Sequence, residues 1–434
     1  MNHGWLSAIV ALSIGGCSPG SQPATRDSLD AVARDYVQLS LTIGEKEEGY
    51  IDAYYGPPDL QAAAKAEAPK LSLEQLSERV EKLRSRASPM AAEGDAVDAR
   101  RARFLVAQLT AAATRLRMLR GEKLPFEEEA EGLFGVRPQL APLASFEAVL
   151  ARIEQMLPGE GPLAGRVDAF QDKFTIPTGR LRPVFDAAIA ECRRRTLQHI
   201  ELPRGESFEL AFVTGKSWSG YNYYKGNAHS LIEINTDLPI RIERAVDLGC
   251  HEGYPGHHVL NALLEQHLVK GKGWIEFSVY PLYSPQSLIA EGSANYGVEL
   301  AFPGAERLAF ETRTLYPLAG LSAAEAQAYS TLREAMKALA AARFTIAREL
   351  LEGRINDGEA ARLIERYQLV SAERAKQSVE FIREYRSYVI NYGLGEQMVR
   401  ADIEAAGSSP QARWARTRTL LSEPTLPSDL RSRR

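Results

Sequence analysis

Apolar residues recur at helical spacing through most of this chain, and a strand-like interval between Glu206 and Pro239 interrupts them. A helix buries one face at a period of 3.6 residues, whereas a half-buried strand alternates with a period of two. We therefore predict a mainly α (α+β) fold, in which a small β-sheet lies inside an otherwise multi-helical protein.

The predicted elements follow from periodicity and from local stop signals. Ser72 and Gln75 form a capping box at the start of one helix, and Gly121 follows the end of the next. The predicted strands are 208–213, 221–224 and 230–235. The predicted helices are 28–43, 71–86, 95–120, 145–157, 181–199, 241 onward, 286–300, 323–351, 357–367 and 371–390.

Composition excludes several classes of protein. Charged residues make up 25% of the 434 residues and hydrophobic residues 45%, which is typical of a globular chain rather than a disordered one. The net charge of −4 gives no electrostatic argument for a nucleic-acid partner, since phosphate binding needs a concentrated basic face, and we expect none. No linker-like segment divides residues 28–405, which we predict to form one lobed domain. Residues 406–434 are predicted to be a fraying tail. No feature of the sequence predicts an oligomeric state.

The N-terminus has the pattern of a bacterial lipoprotein signal. A short apolar run, 5–16, is followed by Cys17 and by polar residues up to 27. We predict a signal peptide at 1–16 and a lipid-anchored tether at 17–27, which would place the protein in the cell envelope, facing the periplasm or the exterior. Cys17 is then the membrane contact. The alternative is an uncleaved apolar N-terminus that packs on the protein, since no Lys or Arg precedes the run.

The chain has three cysteines, too few for a disulfide framework. If Cys17 is lipidated, Cys192 and Cys250 are the remaining thiols. Cys192 lies in a helical pattern and Cys250 lies beside the candidate site described next. We expect both to be buried free thiols.

Three of the seven histidines fall within eight residues, His-Glu-Gly-Tyr-Pro-Gly-His-His, from His251 to His258. A His-Glu pair on a helix with a further His is typical of zinc hydrolases, in which imidazoles bind Zn²⁺ and the Glu accepts the proton of water. The usual second ligand is at i+4, but that position is Pro255. A kink at Pro255 would bring His257 or His258 to the metal. We favour His257, and His258 would then either hydrogen-bond a metal ligand or act as a transition-state donor.

A catalytic zinc ion needs a third protein ligand. Glu291 lies on a predicted helix of small residues that can approach the first helix closely, and it is our candidate. Asn295, one turn later, is placed to hydrogen-bond a ligand imidazole. Glu299 and Glu265 are rival carboxylates in surface-like patterns.

The motif at 251–258 resembles the HExxPGHH signature of a bacterial domain-of-unknown-function family, number 885, which is grouped with zinc metallopeptidases of the gluzincin type. The stretches 291–296 and 391–396 resemble two later elements of that family, and the resemblance runs from about residue 223 to 396. It implies a metallopeptidase-like fold with the sheet beside a central active-site cleft. The departures from the family pattern are Ser293, Asn295 and Gly393.

Further residues are candidates around the metal. The strand 230–235 precedes the site helix, and an edge strand there would pair with the backbone of an extended peptide. His229 and Asn235 bracket this strand and are candidates for substrate binding. Tyr392 is a candidate donor to the developing oxyanion, and ordinary helix packing is its alternative role.

These residues predict a zinc-dependent peptidase that acts on a peptide substrate, with Zn²⁺ as its cofactor and Glu252 as the general base. One alternative is a zinc amidohydrolase acting on a non-peptide amide, such as one in a cell-wall fragment. Another is a non-catalytic, lipid-anchored scaffold or binding protein with a degenerate zinc site.

Overall fold

The computed structural model describes residue 1, residues 28–92 and residues 96–430. Cys17, the predicted tether 17–27 and all but the first residue of the predicted signal peptide lie outside the described residues. The same holds for residues 431–434 of the predicted tail. Within the described residues, no helix combines the length and the apolar character needed to cross a membrane.

Helices dominate the structure and confirm the predicted fold class. The helices predicted to begin at residues 28, 71, 95, 145 and 181 are present and begin within two residues of those positions, whereas the helices 58–67, 126–134, 163–172 and 390–405 were not predicted. The helices are Leu29–Gly44 (α1), Pro58–Glu67 (α2), Leu73–Ala92 (α3), Ala96–Leu119 (α4), Phe126–Phe134 (α5), Glu147–Met156 (α6), Leu163–Asp172 (α7), Leu181–Thr196 (α8), Glu243–Leu248 (α9), His257–Leu264 (α10), Pro285–Ala301 (α11), Glu306–Phe310 (α12), Tyr316–Ala319 (α13), Ala326–Lys337 (α14), Ala342–Leu351 (α15), Asp357–Gln368 (α16), Ala372–Tyr385 (α17), Ile390–Ala405 (α18) and Pro410–Ser422 (α19).

Two helical predictions need correction. The stretch 323–351 forms two helices, α14 and α15, because the chain turns between them in an alanine-rich run that has no Gly or Pro to mark the break. The predicted fraying of the tail 406–434 is wrong for residues 410–422, which form α19. Trp414 and Leu421 of α19 are buried in the core, and this packing holds the segment.

All three predicted strands are present, and a second small sheet joins them. The strands are Ile51–Tyr54 (β1), Ser207–Val213 (β2), Gly220–Gly226 (β3), His229–Asn235 (β4) and Val279–Pro281 (β5). β1 pairs antiparallel with β5. In the three-stranded sheet, of order β2-β4-β3, β4 pairs parallel with β2 and antiparallel with β3.

The central place of β4 corrects the prediction that 230–235 is an edge strand. A tight turn at Asn227 and Ala228, both with positive φ, pairs β4 with β3. β2 then adds to the other side of β4 through a crossover that local sequence does not reveal. β3 is therefore the edge strand next to the site.

Cys192 and Cys250 form a disulfide, so the expectation of two free thiols is wrong. Cys192 lies on α8 and Cys250 on the turn that carries the candidate site, and the two Cα atoms are 5.5 Å apart. The pair forms because α8 packs against this turn, a contact between segments 58 residues apart.

The helices α11 and α18 approach each other closely beside the site. A Cβ at Gly292 on α11 would lie 2.4 Å from the carbonyl oxygen of Gly395 on α18, so glycine is required for this contact. The small residues of α11 therefore allow close packing against α18. This packing places Glu291 of α11 and side chains of α18 in the same cleft.

Candidate metal centre

His251 and Glu252 lie on a π-helical turn, Gly249–Gly253, that continues α9. The chain then leaves the helix, and α10 begins at His257. Gly256 permits this break, because a Cβ there would lie 1.7 Å from the carbonyl oxygen of His251. The chain folds back on itself, so that His257 lies against His251 instead of further along one helix axis.

Three side chains meet at this break: His251, His257 and Glu291. Nε2 of His251 is 3.1 Å from Nε2 of His257 and 3.2 Å from Oε2 of Glu291. Nε2 of His257 is 3.7 Å from the same oxygen. Ligand atoms about 2.0–2.1 Å from a tetrahedral ion lie about 3.3–3.4 Å apart, so the triangle has the size of a zinc site.

The bonding within the triangle also fits a metal. Oε2 of Glu291 is buried and accepts no well-formed hydrogen bond from the described residues. A buried carboxylate oxygen without a partner is costly unless a cation neutralises it. Two imidazole nitrogens and one carboxylate oxygen form a known ligand set of catalytic zinc sites. His251, His257 and Glu291 are therefore the residues that would hold a divalent ion.

Neighbouring side chains orient two of these ligands. Nδ1 of His251 donates to Oδ1 of Asn295 over 2.9 Å, which leaves the lone pair on Nε2 directed at the triangle. The amide nitrogen of Asn295 donates to the carbonyl oxygen of Tyr392, and this fixes the orientation of the amide. The hydroxyl of Tyr388 donates to Oε1 of Glu291 over 2.7 Å, leaving Oε2 for the metal.

Glu252 faces the same cleft and is not part of the triangle. Its Oε1 would lie 2.8 Å from a Cβ at Gly220, so the absence of a side chain on β3 makes room for this carboxylate. Burial raises the pKa of Glu252, while His251 and His257 act in the opposite direction. A carboxyl group with a raised pKa beside a metal site is suited to accept and return a proton.

The charges of the triangle are coupled. Burial alone would raise the pKa of Glu291, but His251 and His257 hold it well below its usual range. Burial alone would lower the pKa of His257, but Glu291, Glu252 and Asp52 raise it to about 9. A proton on His257 and a metal ion therefore compete for the same nitrogen.

The triangle opens into a cleft of about 600 Å³. Residues 220–222 of the edge strand β3 line one wall, and Phe381 and Tyr385 of α17 line another. Tyr392 also lines the cleft, and its ring centroid is 6.4 Å from that of His251. Burial raises the pKa of Tyr392 well above its usual value, so its hydroxyl stays protonated and is able to donate.

Sequence reasoning missed Asp52 and Tyr388, and it favoured a core position over the cleft wall for Tyr221, which lines the cleft. Asp52 lies on β1 and accepts a hydrogen bond from Tyr221, and burial raises the pKa of Asp52 to about 6. No motif near Asp52 in the sequence indicates a functional site, because only the tertiary structure brings β1 to the cleft. Tyr388 precedes Tyr392 by four residues, and that spacing was a usable signal for two side chains on one face.

The structure does not bring His258 to the metal triangle. Its side chain is fully buried on the other side of α10, where Nδ1 is 2.8 Å from Oγ of Ser230. Nε2 of His258 is 3.1 Å from a carboxylate oxygen of Glu206. The predicted role as transition-state donor is therefore corrected: because His257 and His258 are consecutive on a helix, they point in different directions.

His229 and Asn235 are also absent from the cleft lining. Nδ1 of His229 is 3.1 Å from Oγ of Ser207 on β2, and the amide of Asn235 donates to two carbonyl oxygens of the loop before β3. Because β4 is the central strand, both side chains form hydrogen bonds within the sheet and its adjoining loop. Their predicted role in substrate binding is not supported by this placement.

The two rival carboxylates are bound elsewhere. Glu299 pairs with Lys337 at 2.8 Å and with Arg400 at 2.6 Å. Glu265 pairs with Lys270 at 2.9 Å. Their ion pairs leave Glu291 as the carboxylate of the triangle.

No family model and no curated protein matches the chain. Among solved structures, a candidate lipoprotein from Colwellia psychrerythraea is similar at 15% identity and a TM-score of 0.48, over 83% of this chain and 73% of that one. An M32 carboxypeptidase from Deinococcus radiodurans R1 is similar at 13% identity and a TM-score of 0.35, over 90% and 88%. A structure described as BsuCP has 10% identity and a TM-score of 0.36, over 91% and 88%. Similarity at this level establishes neither a family nor an activity.

Proposed function

We propose that this protein is a zinc-dependent peptidase of the cell envelope. The observation that supports this most directly is the triangle of His251, His257 and Glu291, in which a buried carboxylate oxygen has no hydrogen-bond partner within the described part of the chain. Glu252 lies beside the triangle in the same open cleft. Two imidazoles and one carboxylate favour zinc over Mg²⁺ or Ca²⁺, which prefer all-oxygen sites.

When bound, a divalent ion supplies Lewis acidity and lowers the pKa of water towards neutrality. In the proposed reaction, Glu252 removes one proton from the attacking water, whose oxygen forms a bond to the carbonyl carbon of the substrate. The C–N bond then breaks, and Glu252 passes the proton to the departing amine nitrogen. Tyr392 donates a hydrogen bond to the carbonyl oxygen as negative charge develops there.

The edge strand β3 is the proposed binding site for the substrate backbone. Its residues 220–222 line the cleft beside Glu252, and among the described residues no strand pairs with it on the side away from β4. An extended peptide can add to such an edge through main-chain hydrogen bonds, with little demand on its sequence. This role replaces the one predicted for 230–235.

Two observations support a location in the cell envelope. The pattern before Cys17 is that of a lipoprotein signal. The disulfide between Cys192 and Cys250 is typical of proteins outside the cytosol, where thiols are not kept reduced. Membership of the domain-of-unknown-function family 885, inferred from the motif at 251–258, is part of the same proposal.

Metal content is the first test. We expect about one zinc per chain in the purified protein without its signal peptide, measured by elemental mass spectrometry, and loss of that zinc in His251→Ala. His258→Ala is the matched control, because His258 is outside the triangle and should leave the zinc content unchanged. Absence of zinc after reconstitution would favour the scaffold alternative.

Turnover is the second test. Glu252→Gln should retain zinc and lose peptide hydrolysis by a factor of about 10²–10⁴, the usual contribution of a general base. Peptide libraries and muropeptide amides are assayed side by side, and cleavage of the muropeptide amides alone would replace the peptidase proposal with the amidohydrolase. Wild-type activity in the zinc-loaded variant would refute the assignment of Glu252.

A further inference from the structure

Arg343 is a cleft residue to which the proposed chemistry assigns no role. It lies at the start of α15, and its guanidinium carbon is 5.0 Å from the centroid of the Phe381 ring. Its Nε is buried without a hydrogen-bond partner, and no carboxylate among the described residues forms an ion pair with it. The Arg343 side chain is partly buried and has no anionic partner among the described residues, which is costly, and this favours a ligand that supplies the anion.

Other cations of the cleft are already bound by the protein. Arg307 pairs with Asp247 at 2.7 Å, and Lys337 pairs with Glu299 at 2.8 Å. Arg374 also lines the cleft, and it donates to the carbonyl oxygen of Pro239 over 2.6 Å. Arg343 differs from these three cations in that its guanidinium has neither a hydrogen bond nor an ion pair to the described residues, whereas Arg374 has one hydrogen bond.

A row of rings connects Arg343 with the metal triangle. The Phe381 ring, on which the guanidinium lies, has its centroid 6.1 Å from that of Tyr392. The Tyr392 ring lies 6.4 Å from that of His251. An extended peptide advances about 3.3–3.4 Å per residue, so a substrate bound at the triangle reaches Arg343 within a few residues of the scissile bond.

We infer that Arg343 binds a carboxylate of the substrate, either the free C-terminal carboxylate or an acidic side chain a few residues from the scissile bond. This inference rests on the proposed peptidase function and names its substrate class. A planar guanidinium binds a carboxylate through two parallel hydrogen bonds, which fixes the position of the substrate as well as attracting it. Arg343 is in this view a specificity residue and takes no part in proton transfer.

The test uses three synthetic peptides that are identical except at the last residue and its terminal group. The first has a free C-terminal carboxylate, the second a C-terminal carboxamide, and the third a carboxamide with glutamate as its last residue. Wild type, Arg343→Met, Arg343→Lys and Arg374→Met are compared by kcat/KM. Binding of the same peptides to zinc-loaded Glu252→Gln is measured by calorimetry, and thermal melts check that each variant is folded.

We expect wild type to prefer one carboxylate-bearing peptide over the neutral amide by about 10- to 100-fold, as for a charged hydrogen bond. Preference for the first peptide assigns the C-terminal carboxylate, and preference for the third assigns a side chain. Arg343→Met should abolish the preference, Arg343→Lys should keep part of it, and Arg374→Met should keep it in full. A structural role for Arg343 would change stability without changing this ratio.

Equal cleavage of all three peptides by wild type would overturn the inference and leave the peptidase proposal intact. An equal loss of preference in Arg374→Met would also overturn it, because the effect would then come from the overall charge of the cleft. If no peptide is cleaved, the peptidase proposal fails, and the calorimetric comparison still decides whether Arg343 binds a carboxylate.

Discussion

Replacement of Gly256 by alanine tests whether the break after the π-helical turn builds the metal centre. The added Cβ would lie 1.7 Å from the carbonyl oxygen of His251 and 2.5 Å from that of Cys250. Since Cβ atoms essentially never come within 3.0 Å of such an atom, the turn must open by about 1.3 Å, the difference between 3.0 and 1.7 Å. Metal sites tolerate changes of only about 0.2 Å in ligand distance, so His257 would leave the triangle.

We expect zinc affinity to fall by more than about 100-fold in Gly256→Ala, which exceeds the 10- to 100-fold typical of losing a hydrogen-bond partner of a ligand. Overpacking should also lower the free energy of unfolding by about 1–3 kcal/mol. Affinity is measured by competition with a chromophoric chelator, and stability by thermal melts followed by circular dichroism.

Gly165→Ala is the matched control. Gly165 lies within α7, and a Cβ there meets nothing within 4 Å. The substitution should leave zinc affinity unchanged and raise stability by up to about 1 kcal/mol, because alanine favours a helix more than glycine does. A folded Gly256→Ala protein that binds zinc as tightly as wild type would refute the reasoning about the break.

Three further predictions concern the support of the site. Asn295→Ala should weaken zinc binding by about 10- to 100-fold, because His251 loses the partner that orients it. Asn295→Asp should retain the affinity for zinc. Equal affinity of wild type and the alanine variant would contradict this role of Asn295. The double variant Cys192→Ala, Cys250→Ala should lose about 4 kcal/mol of unfolding free energy, the stabilisation expected for a disulfide that closes a loop of 58 residues. Unfolding is measured in urea, and an unchanged urea midpoint would contradict this stabilising role. Zinc must displace a proton from His257, whose pKa is about 9. The apparent Kd for zinc should therefore fall about tenfold for each unit of rising pH up to that value. A Kd that does not vary between pH 6 and 8 would contradict the coupling.

Local patterns predict the fold class and the strands of the larger sheet. Alternation, which depends only on residues two positions apart, indicates the strand 208–213, and Gly220 and Gly226 mark the limits of the strands 221–224 and 230–235. The order of those strands was not predicted, because β2 joins β4 through a contact between distant parts of the chain. The edge strand beside the cleft is therefore β3 and not β4. The predicted substrate-binding roles of His229 and Asn235 depended on β4 being that edge, and the structure does not support them.

The candidate site divides in the same way. The concentration of His and Glu at 251–258 pointed to metal chemistry from residue type alone, and Pro255 signalled a break in the helix. The direction of the chain after that break depends on backbone contacts at Gly256, which spacing along an ideal helix does not describe. Asp52 and Arg343 reach the cleft from β1 and α15, and neither has a local signal of function.

By itself, the sequence predicted most of the long helices, the three strands of the sheet beside the site, and the short window that carries the metal-binding chemistry, but it did not reveal β1, β5, α2, α5 or α7. The predicted properties depend on residues within a few positions of one another, so the types of neighbouring residues are enough to predict them. The tertiary structure decided that His257 and not His258 joins His251, that Cys192 pairs with Cys250, and that β3 borders the cleft. Each of these depends on the packing of segments far apart in the chain, where the free energy comes from contacts that one segment cannot reveal.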